Sequence, residues 1–267
     1  MTTAEARRAI VTGADSGIGR ATAVALAADG MDIGITWYAD EEGAHRTADE
    51  VRSHGRAALL TRLDTSEPEA CGPVIDDLAA RLGGVDVFVS NAGTVESASF
   101  LELTLQQWRR TMAVDLEGAF VCLQAAARHM VDAGRGGRLI AVTSINEHQP
   151  RVGFAAYDAA KHGLGGLMKT LALELGRHGI TANTVAPGEI ATPMTGGEDV
   201  DPTTIERPGF PIDRPGDARE VAAVIAFLAS PAASYVTGAS CLVDGGILLM
   251  GPEAGSRLTS DDWRSPA

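Results

Sequence analysis

Lysine is nearly missing from this sequence, and cysteine is scarce. Lys161 and Lys169 are the only two lysines in a chain with 22 lysines and arginines together. The three cysteines, Cys71, Cys122 and Cys241, are odd in number and far apart in the sequence, which excludes a disulfide framework and offers no metal-ligand spacing. We interpret them as thiols in or near the core, and we predict a cytoplasmic protein without a metal site.

Positive charge and long apolar runs are also lacking. The formal net charge of −13 argues against nucleic acid or an anionic membrane as the main partner. No apolar run approaches the roughly 20 residues of a membrane-spanning helix, and the N-terminus shows no signal-peptide pattern. The hydrophobic fraction of 45% is nevertheless sufficient for a sizeable core.

Short apolar runs alternate with longer helical patterns along the chain. Strands are predicted at residues 9–11, 32–37, 57–63, 85–90, 138–143, 181–186 and 241–243, and helices at about 18–29, 41–55, 67–82, 105–133, 153–176 and 217–229. This alternation indicates a parallel sheet covered on both faces. The prediction is an α/β fold: a single-domain, doubly wound, seven-stranded parallel sheet in residues 1–250. A proline-rich segment at about 188–216 is predicted to be a substrate loop, and residues 251–267 a C-terminal tail.

Two motifs indicate chemistry. The first strand runs into a turn in which Gly13 permits a sharp bend, Gly17 permits close backbone approach to a pyrophosphate, and Gly19 permits close helix packing. Farther along, Tyr157 and Lys161 are four residues apart, so a helix places them on one face. An ammonium beside a tyrosine lowers the pKa of the phenol and equips it for proton transfer. Taken alone, this pair is equally compatible with an ordinary helix surface.

Five motifs in register resemble the short-chain dehydrogenase/reductase family over residues 7–246 or so. They are Thr-Gly-x-x-x-Gly-Ile-Gly at 12–19, Asn-Ala-Gly at 91–93, Ser144, Tyr-x-x-x-Lys at 157–161 and Pro-Gly at 187–188. The resemblance implies a Rossmann fold and an NAD(P)(H)-dependent oxidoreductase that interconverts a secondary alcohol and a ketone by hydride transfer. The small-molecule substrate itself stays open.

The resemblance also implies roles for the catalytic residues. Tyr157 is the expected acid/base, Lys161 is expected to lower its pKa and to bind the nicotinamide ribose, and Ser144 is expected to polarise the substrate oxygen. The family usually has an asparagine where this chain has Asp115. An ionised carboxylate accepts hydrogen bonds but cannot donate them. We hypothesise that Asp115 is a catalytic member compatible with activity; the alternative is that this position mainly shapes its helix.

The resemblance assigns the dinucleotide to residues at the ends of the strands. Asp64 is expected to accept from the adenine amino group, and the loop from residue 187 to 192 to hold the nicotinamide carboxamide. The predicted binding residues are Gly13, Asp15, Ser16, Gly17, Ile18, Gly19, Thr36, Trp37, Asp64, Thr65, Asn91, Ala92, Gly93, Tyr157, Lys161, Pro187, Gly188, Ile190 and Thr192.

The choice between NAD and NADP depends on the end of the second strand. Trp37 stands where an acid would select NAD, so the usual NAD signal is missing. The usual NADP signal is missing as well, since Ser16 precedes Gly17 and Tyr38 replaces a basic residue. We favour NADP, with Thr36 as a donor to a phosphate oxygen, and keep NAD as possible.

Several alternatives remain open at this point. Glu147 and His148 either bind a polar substrate or are simply exposed loop residues. A sugar or polyol dehydrogenase, and a dinucleotide-binding regulator with reduced catalysis, are the competing functions. We expect a homotetramer or homodimer that pairs the helices at 105–133 and 153–176, with neither nucleic acid nor membrane as a partner.

Overall fold

A parallel sheet of seven strands forms the centre of the structure. The computed structural model describes residues 6–197 and 200–250, so the tail predicted at 251–267 lies outside the described residues. The strands are β1 (Arg8–Val11), β2 (Asp32–Trp37), β3 (Ala58–Arg62), β4 (Val87–Ser90), β5 (Gly137–Val142), β6 (Ile180–Pro187), β7 (Ile190–Ala191), β8 (Gly216–Asp217) and β9 (Ser240–Val243). The main sheet has the order β3-β2-β1-β4-β5-β6-β9, and every neighbouring pair is parallel. The predicted fold class is confirmed.

Helices cover both faces of this sheet. They are α1 (Gly17–Ala28), α2 (Glu41–Ser53), α3 (Pro68–Leu82), α4 (Leu105–Met112), α5 (Gly118–Ala133), α6 (Ala155–Leu175) and α7 (Ala218–Ala229). Successive strand side chains point to opposite faces. In β1, Val11 packs into the core under α1, α2 and α7, whereas Ile10 packs into the core under α3, α5 and α6. Both are fully buried, which is why the strands read as continuous apolar runs.

The stretch predicted to be helical at 105–133 is helical throughout, but it is not a uniform α-helix. Between α4 and α5 the chain makes a π-helical turn, Ala113–Glu117. Such a turn is a single-turn bulge inside an α-helix, and it occurs frequently at functional sites. Asp115 lies in this turn with 1% of its surface exposed. The π-helical turn therefore sets the direction of a buried carboxylate.

The proline-rich segment is partly ordered by pairing with itself. Strand β7 pairs with β8 in parallel, Ile190 opposite Gly216 and Ala191 opposite Asp217. Short 3₁₀ turns at Pro193–Thr195 and Pro202–Thr204 lie between them. The small sheet closes the two ends of the segment at the carboxyl end of β6.

The β1–α1 turn lies where the strand order reverses between β1 and β4. In open α/β sheets this switch point creates the crevice in which ligands bind. Gly13 and Gly17 have φ values of 59° and 51°, in the left-handed region that favours glycine. Gly19 packs so tightly that an added Cβ would collide with the carbonyl oxygen of Gly13 and lie 2.6 Å from Nδ2 of Asn91.

Two features common in other protein classes are not found in residues 6–197 and 200–250. None of the helices there combines the length and apolar character needed to cross a membrane. Nor do His, Cys, Asp and Glu side chains gather in groups of three or more that could hold a metal ion.

The contact at Gly19 predicts a large penalty for a single methyl group. We expect Gly19→Ala to lower the free energy of unfolding by about 1–3 kcal/mol, because the added Cβ meets backbone that cannot rotate away. Urea unfolding followed by circular dichroism measures this change in the free energy of unfolding.

The matched control is Gly176→Ala at the end of α6, where no described heavy atom lies within 4 Å of an added Cβ and φ is −54°. This variant should be unchanged or up to about 1 kcal/mol more stable. Equal stability of Gly19→Ala and the wild type would contradict the packing argument.

Candidate active site

The four predicted catalytic residues line one cleft at the carboxyl end of the sheet. Ser144 follows β5 and caps a 3₁₀ turn, where its Oγ accepts the N–H of Asn146 at 3.2 Å. Tyr157 and Lys161 lie on the first two turns of α6, with the Lys161 Nζ 5.3 Å from the centre of the tyrosine ring. Asp115 enters from the π-helical turn. Three separate segments thus converge on one point.

A buried ion pair joins two of these segments. Nζ of Lys161 lies 3.0 Å from Oδ1 of Asp115, and the two residues are 3% and 1% exposed. The N–H of Thr94 donates to both carboxylate oxygens, at 3.2 and 3.3 Å. Gly93 makes room for this contact, since an added Cβ there would lie 2.7 Å from Oδ1 of Asp115.

Burial and pairing oppose each other in this ion pair. Burial by itself would lower the pKa of Lys161, but the negative charges of Asp115 and of an ionised Tyr157 outweigh it, so the pKa lies above its ordinary value. Burial raises the pKa of Asp115, and the attraction of Lys161 and the Thr94 hydrogen bond work against that rise. Lys161 is therefore held as an ammonium ion.

Tyr157 differs from the expectation in the net direction of its pKa. Burial in the cleft wall raises the pKa of the phenol, Asp115 and Asp158 add to the rise, and Lys161 and Ser144 oppose it without reversing it. The effect of Lys161 has the expected sign, but the carboxylate that pairs with it acts the other way. Tyr157 is therefore a neutral phenol at neutral pH, which is the form that donates a proton.

A hydrogen-bonded chain that the sequence did not reveal orients Ser144. Nδ2 of Asn146 donates to Asp158 at 2.6 Å, which turns the amide oxygen of Asn146 toward Ser144. The Ser144 hydroxyl donates to that oxygen at 3.0 Å. Asp158 is also fixed by the N–H of Arg151, at 3.0 Å. Only the position of Asp158 directly after Tyr157 hinted at such a role.

The amino end of α1 fits an anionic group. In the part of the chain that the structure describes, its N-cap residue Ser16 makes no side-chain capping bond, and the first turn carries no acid. The first N–H groups of a helix lack intrahelical partners and attract phosphate. Gly17 lies at this point with Thr192 opposite, 3.3 Å from an added Cβ. A dinucleotide pyrophosphate matches these open donors.

Most of the predicted dinucleotide-binding residues line the same cleft as the catalytic residues. Those in its wall, besides Tyr157 and Lys161, are Gly13, Asp15, Ser16, Gly17, Ile18, Trp37, Asp64, Thr65, Asn91, Ala92, Gly93, Pro187, Gly188, Ile190 and Thr192. Asn91 also braces the turn, because its Nδ2 donates to the carbonyl oxygens of Thr12 and Gly13 at 2.9 and 3.0 Å.

Two predicted residues lie behind the wall. Gly19 is packed against the turn, in keeping with the packing role expected for it. Thr36 is 1% exposed, and its hydroxyl accepts the N–H of Gly13 at 3.3 Å. The expectation that Thr36 donates to a cofactor phosphate does not match this placement, since the side chain of a buried strand position points beneath the turn and supports it.

Glu147 fits neither of the two interpretations of its loop, which were substrate binding and simple exposure to solvent. It is 6% exposed, and its Oε2 accepts hydroxyl hydrogen bonds from Thr143, Thr184 and Ser240, at 2.7, 2.9 and 3.1 Å. It is therefore neither an exposed loop residue nor a cleft residue, and it ties the turn after β5 to β6 and β9. Two of its three partners, Thr184 and Ser240, come from strands distant in the sequence, so no local pattern identified its burial.

Some residues of the cleft were not predicted. Arg110 and Val114, one helical turn apart near the end of α4, line it, and so does Thr94. Arg110 lies 3.6 Å from Glu96 and is largely exposed. The i, i+4 spacing of Arg110 and Val114 was the available signal, but only the entry of Asp115 into the cleft shows that this side of the helix faces it.

Comparisons with known proteins agree with this geometry. Residues 13–248 match the family model described as enoyl-(acyl carrier protein) reductase. The uncharacterized oxidoreductase YohF of Escherichia coli (strain K12) is 49% identical over 93% of this chain and 98% of its own.

Solved structures show the same likeness. The acetoin dehydrogenase YohF from Salmonella typhimurium is 49% identical, with a TM-score of 0.88 over 93% of this chain and 98% of its own. An acetoin dehydrogenase from Enterobacter cloacae is 47% identical, also with a TM-score of 0.88, over 94% and 99%. With the motifs, the parallel sheet and these matches in agreement, the chain belongs to the short-chain dehydrogenase/reductase family of oxidoreductases.

Proposed function

We propose that this protein interconverts a secondary alcohol and a ketone by hydride transfer to or from NADP(H), with NAD(H) as the second possibility and Tyr157 as the acid/base. One observation carries the proposal: Ser144, Tyr157 and Lys161 converge in the cleft that also contains the open amino end of α1. A bound nicotinamide supplies or takes the hydride. The remaining chemistry belongs to the side chains.

In the reducing direction, the neutral Tyr157 phenol donates its proton to the substrate oxygen as negative charge develops there. Ser144 supplies a second hydrogen bond to the same oxygen by turning its hydroxyl away from Asn146. The Lys161 ammonium stabilises the phenolate that is left behind, and it has donors to spare for a ribose hydroxyl. Asp115 and Thr94 hold that ammonium in place.

The substrate is proposed from the relatives. Two solved relatives at 47–49% identity are named acetoin dehydrogenases, which supports a small hydroxyketone or its diketone as the substrate class. The substrate loop proposed at 188–216 brings Met194, which is 55% exposed, to the wall of the cleft, where it supplies an apolar surface. Such a surface suits short alkyl groups beside the reacting carbonyl.

Assembly and location are part of the proposal. Helices α5 and α6 expose Phe120 and Leu173, which are 43% and 86% accessible in the single chain. Covering such side chains supports a homotetramer or homodimer built on these helices. The free thiols Cys71, Cys122 and Cys241 support a reducing compartment, the cytoplasm.

The acid/base role of Tyr157 is tested by Tyr157→Phe. The variant should bind NADPH or NADH like the wild type, because the ring is kept, and its turnover should fall at least ~100-fold, because the transferred proton is lost. Cofactor fluorescence measures binding, and a panel of ketones that includes acetoin and diacetyl measures turnover.

Tyr235→Phe is the matched control, since Tyr235 is fully exposed, and it should keep full activity. Turnover retained by Tyr157→Phe would reject the proposed acid/base. Wild-type protein that binds a dinucleotide but turns over no substrate would favour the regulator alternative. Failure to bind either dinucleotide would reject the whole proposal.

The influence of Asp115 is tested without any substrate. The Asp115 charge raises the pKa of Tyr157, so removing that charge stabilises the phenolate relative to the phenol. The Asp115→Asn variant should therefore ionise Tyr157 at lower pH than the wild type. Tyrosinate absorbance near 295 nm follows the titration, and the Tyr157→Phe protein identifies which step belongs to Tyr157.

Asp49→Asn, which removes an exposed carboxylate on α2, controls for net charge and should leave the titration unchanged. If catalysis is limited by proton removal during alcohol oxidation, the pH profile for Asp115→Asn should shift to lower pH as well. A Tyr157 titration that moves upward, or not at all, would show that Asp115 does not set this pKa.

A further inference from the structure

Arg62, the last residue of β3, lies beside the adenosine end of the cleft. Its Nε donates to the carbonyl oxygen of Tyr38 at 3.1 Å, and its guanidinium carbon is 5.3 Å from the centre of the Tyr38 ring. Tyr38 follows Trp37, which is the register partner of Arg62 in the sheet, and both Trp37 and Tyr38 line the cleft. The backbone contact and the ring together fix the direction of the guanidinium group.

Arg62 has unused hydrogen-bonding capacity. Among residues 6–197 and 200–250 it makes no ion pair with a carboxylate, and only one of its five N–H donors has a partner. Burial works to raise the pKa of Asp64 in the cleft, but the hydrogen bonds from Ser66 and Tyr38, and after them the charge of Arg62, lower it. Arg62 is exposed to solvent, so its free donors are accessible to an anionic ligand at this end of the cleft.

Neighbouring arginines are already neutralised. Arg46 lies 3.3 Å from Asp40 and 3.4 Å from Glu42, and Arg20 pairs with Glu50. They have carboxylate partners, so they are poorer candidates than Arg62 to bind a further anion at this end of the cleft.

The acids near this end of the cleft oppose an anion unequally. Asp64 lines the cleft and its pKa lies below the ordinary value, so its charge opposes an anion and has to be offset by Arg62. Asp40, the acid closest in sequence to the end of β2, already has two partners. Its carboxylate accepts the N–H of Gly43 at 2.8 Å, which caps α2, and it pairs with Arg46. Asp15 also lines the cleft, and burial, together with the adjacent charge of Asp40, raises its pKa above the ordinary value. The lining residues at the end of β2 and just after it are Trp37, Tyr38 and Ala39. None of the three is an acid that could accept a hydrogen bond from a ribose hydroxyl.

We infer that Arg62 is the cation that binds the ribose 2′-phosphate of NADP(H), with Tyr38 as the surface that positions it. The inference rests on the proposed function, since it needs a dinucleotide in this cleft. A guanidinium forms two parallel hydrogen bonds to a phosphate, which gives both charge and geometry. Specificity for the phosphorylated cofactor thus comes from the end of β3 rather than from the end of the neighbouring strand β2.

The test compares ligands that differ only in the 2′-phosphate. Binding of NADPH and NADH, and of 2′,5′-ADP and 5′-AMP, is measured by calorimetry for the wild type, Arg62→Gln and Arg62→Lys. We expect Arg62→Gln to weaken NADPH and 2′,5′-ADP about 10- to 100-fold, the range for losing a hydrogen bond to a charged group. Binding of NADH and 5′-AMP should be unchanged. Arg62→Lys should lose less, since it keeps the charge but not the fork.

Arg81→Gln is the matched control, because this arginine contacts Asp77 and the hydroxyl of Thr61 away from the cleft. It should bind all four ligands like the wild type. Equal weakening of NADPH and NADH by Arg62→Gln would overturn the inference and assign Arg62 to supporting Tyr38. Unchanged NADPH binding would overturn it as well. Wild-type protein that binds neither dinucleotide would instead reject the proposed function on which the inference rests.

Discussion

The buried contact between Lys161 and Asp115 constrains most of the site around it. Two ions in the interior are tolerated only when they are paired and their remaining hydrogen-bonding positions are filled. Here the pairing distance is 3.0 Å, and the N–H of Thr94 supplies the additional donor. The π-helical turn carries the carboxylate into position, and Gly93 leaves it room. Each of these local features is unfavourable or unremarkable alone, and the ion pair accounts for all of them.

The same contact sets the character of Tyr157. A lysine beside a tyrosine favours the phenolate and lowers the pKa of the phenol, whereas a carboxylate beside the lysine partly cancels this lowering. With burial acting in the same direction as the carboxylate, Tyr157 is a neutral phenol. An asparagine at position 115 would add no negative charge. Aspartate at this position therefore raises the pKa of Tyr157, which bears on the proton transfer proposed for that residue.

The two ends of the cleft are held by different means. At the catalytic end, charged and polar side chains orient one another through Asp158, Asn146 and Ser144. At the end proposed to hold the dinucleotide, the backbone of the glycine-rich turn is the proposed binding element, and the side chains of Asn91 and Thr36 support it by hydrogen bonds. Removing a supporting side chain should therefore disturb phosphate binding indirectly, through the turn, whereas removing a catalytic side chain acts on the reacting atoms.

The parallel sheet and most of its cleft are predictable from the amino-acid sequence, because they depend on local patterns. Continuous apolar strands, the glycines at 13 and 17, and the spacing of Tyr157 and Lys161 are all readable within a few residues. The remaining features could not be predicted, because they depend on contacts between segments that are distant in the sequence. Asp115, in the π-helical turn at Ala113–Glu117, pairs with Lys161 more than 40 positions away. Glu147 is buried and accepts hydrogen bonds from Thr184 and Ser240. Thr36 lies beneath the turn because β2 neighbours β1. The net pKa of Tyr157 belongs to the same class, since it is a sum of burial and opposing charges that exists only once the chain has folded.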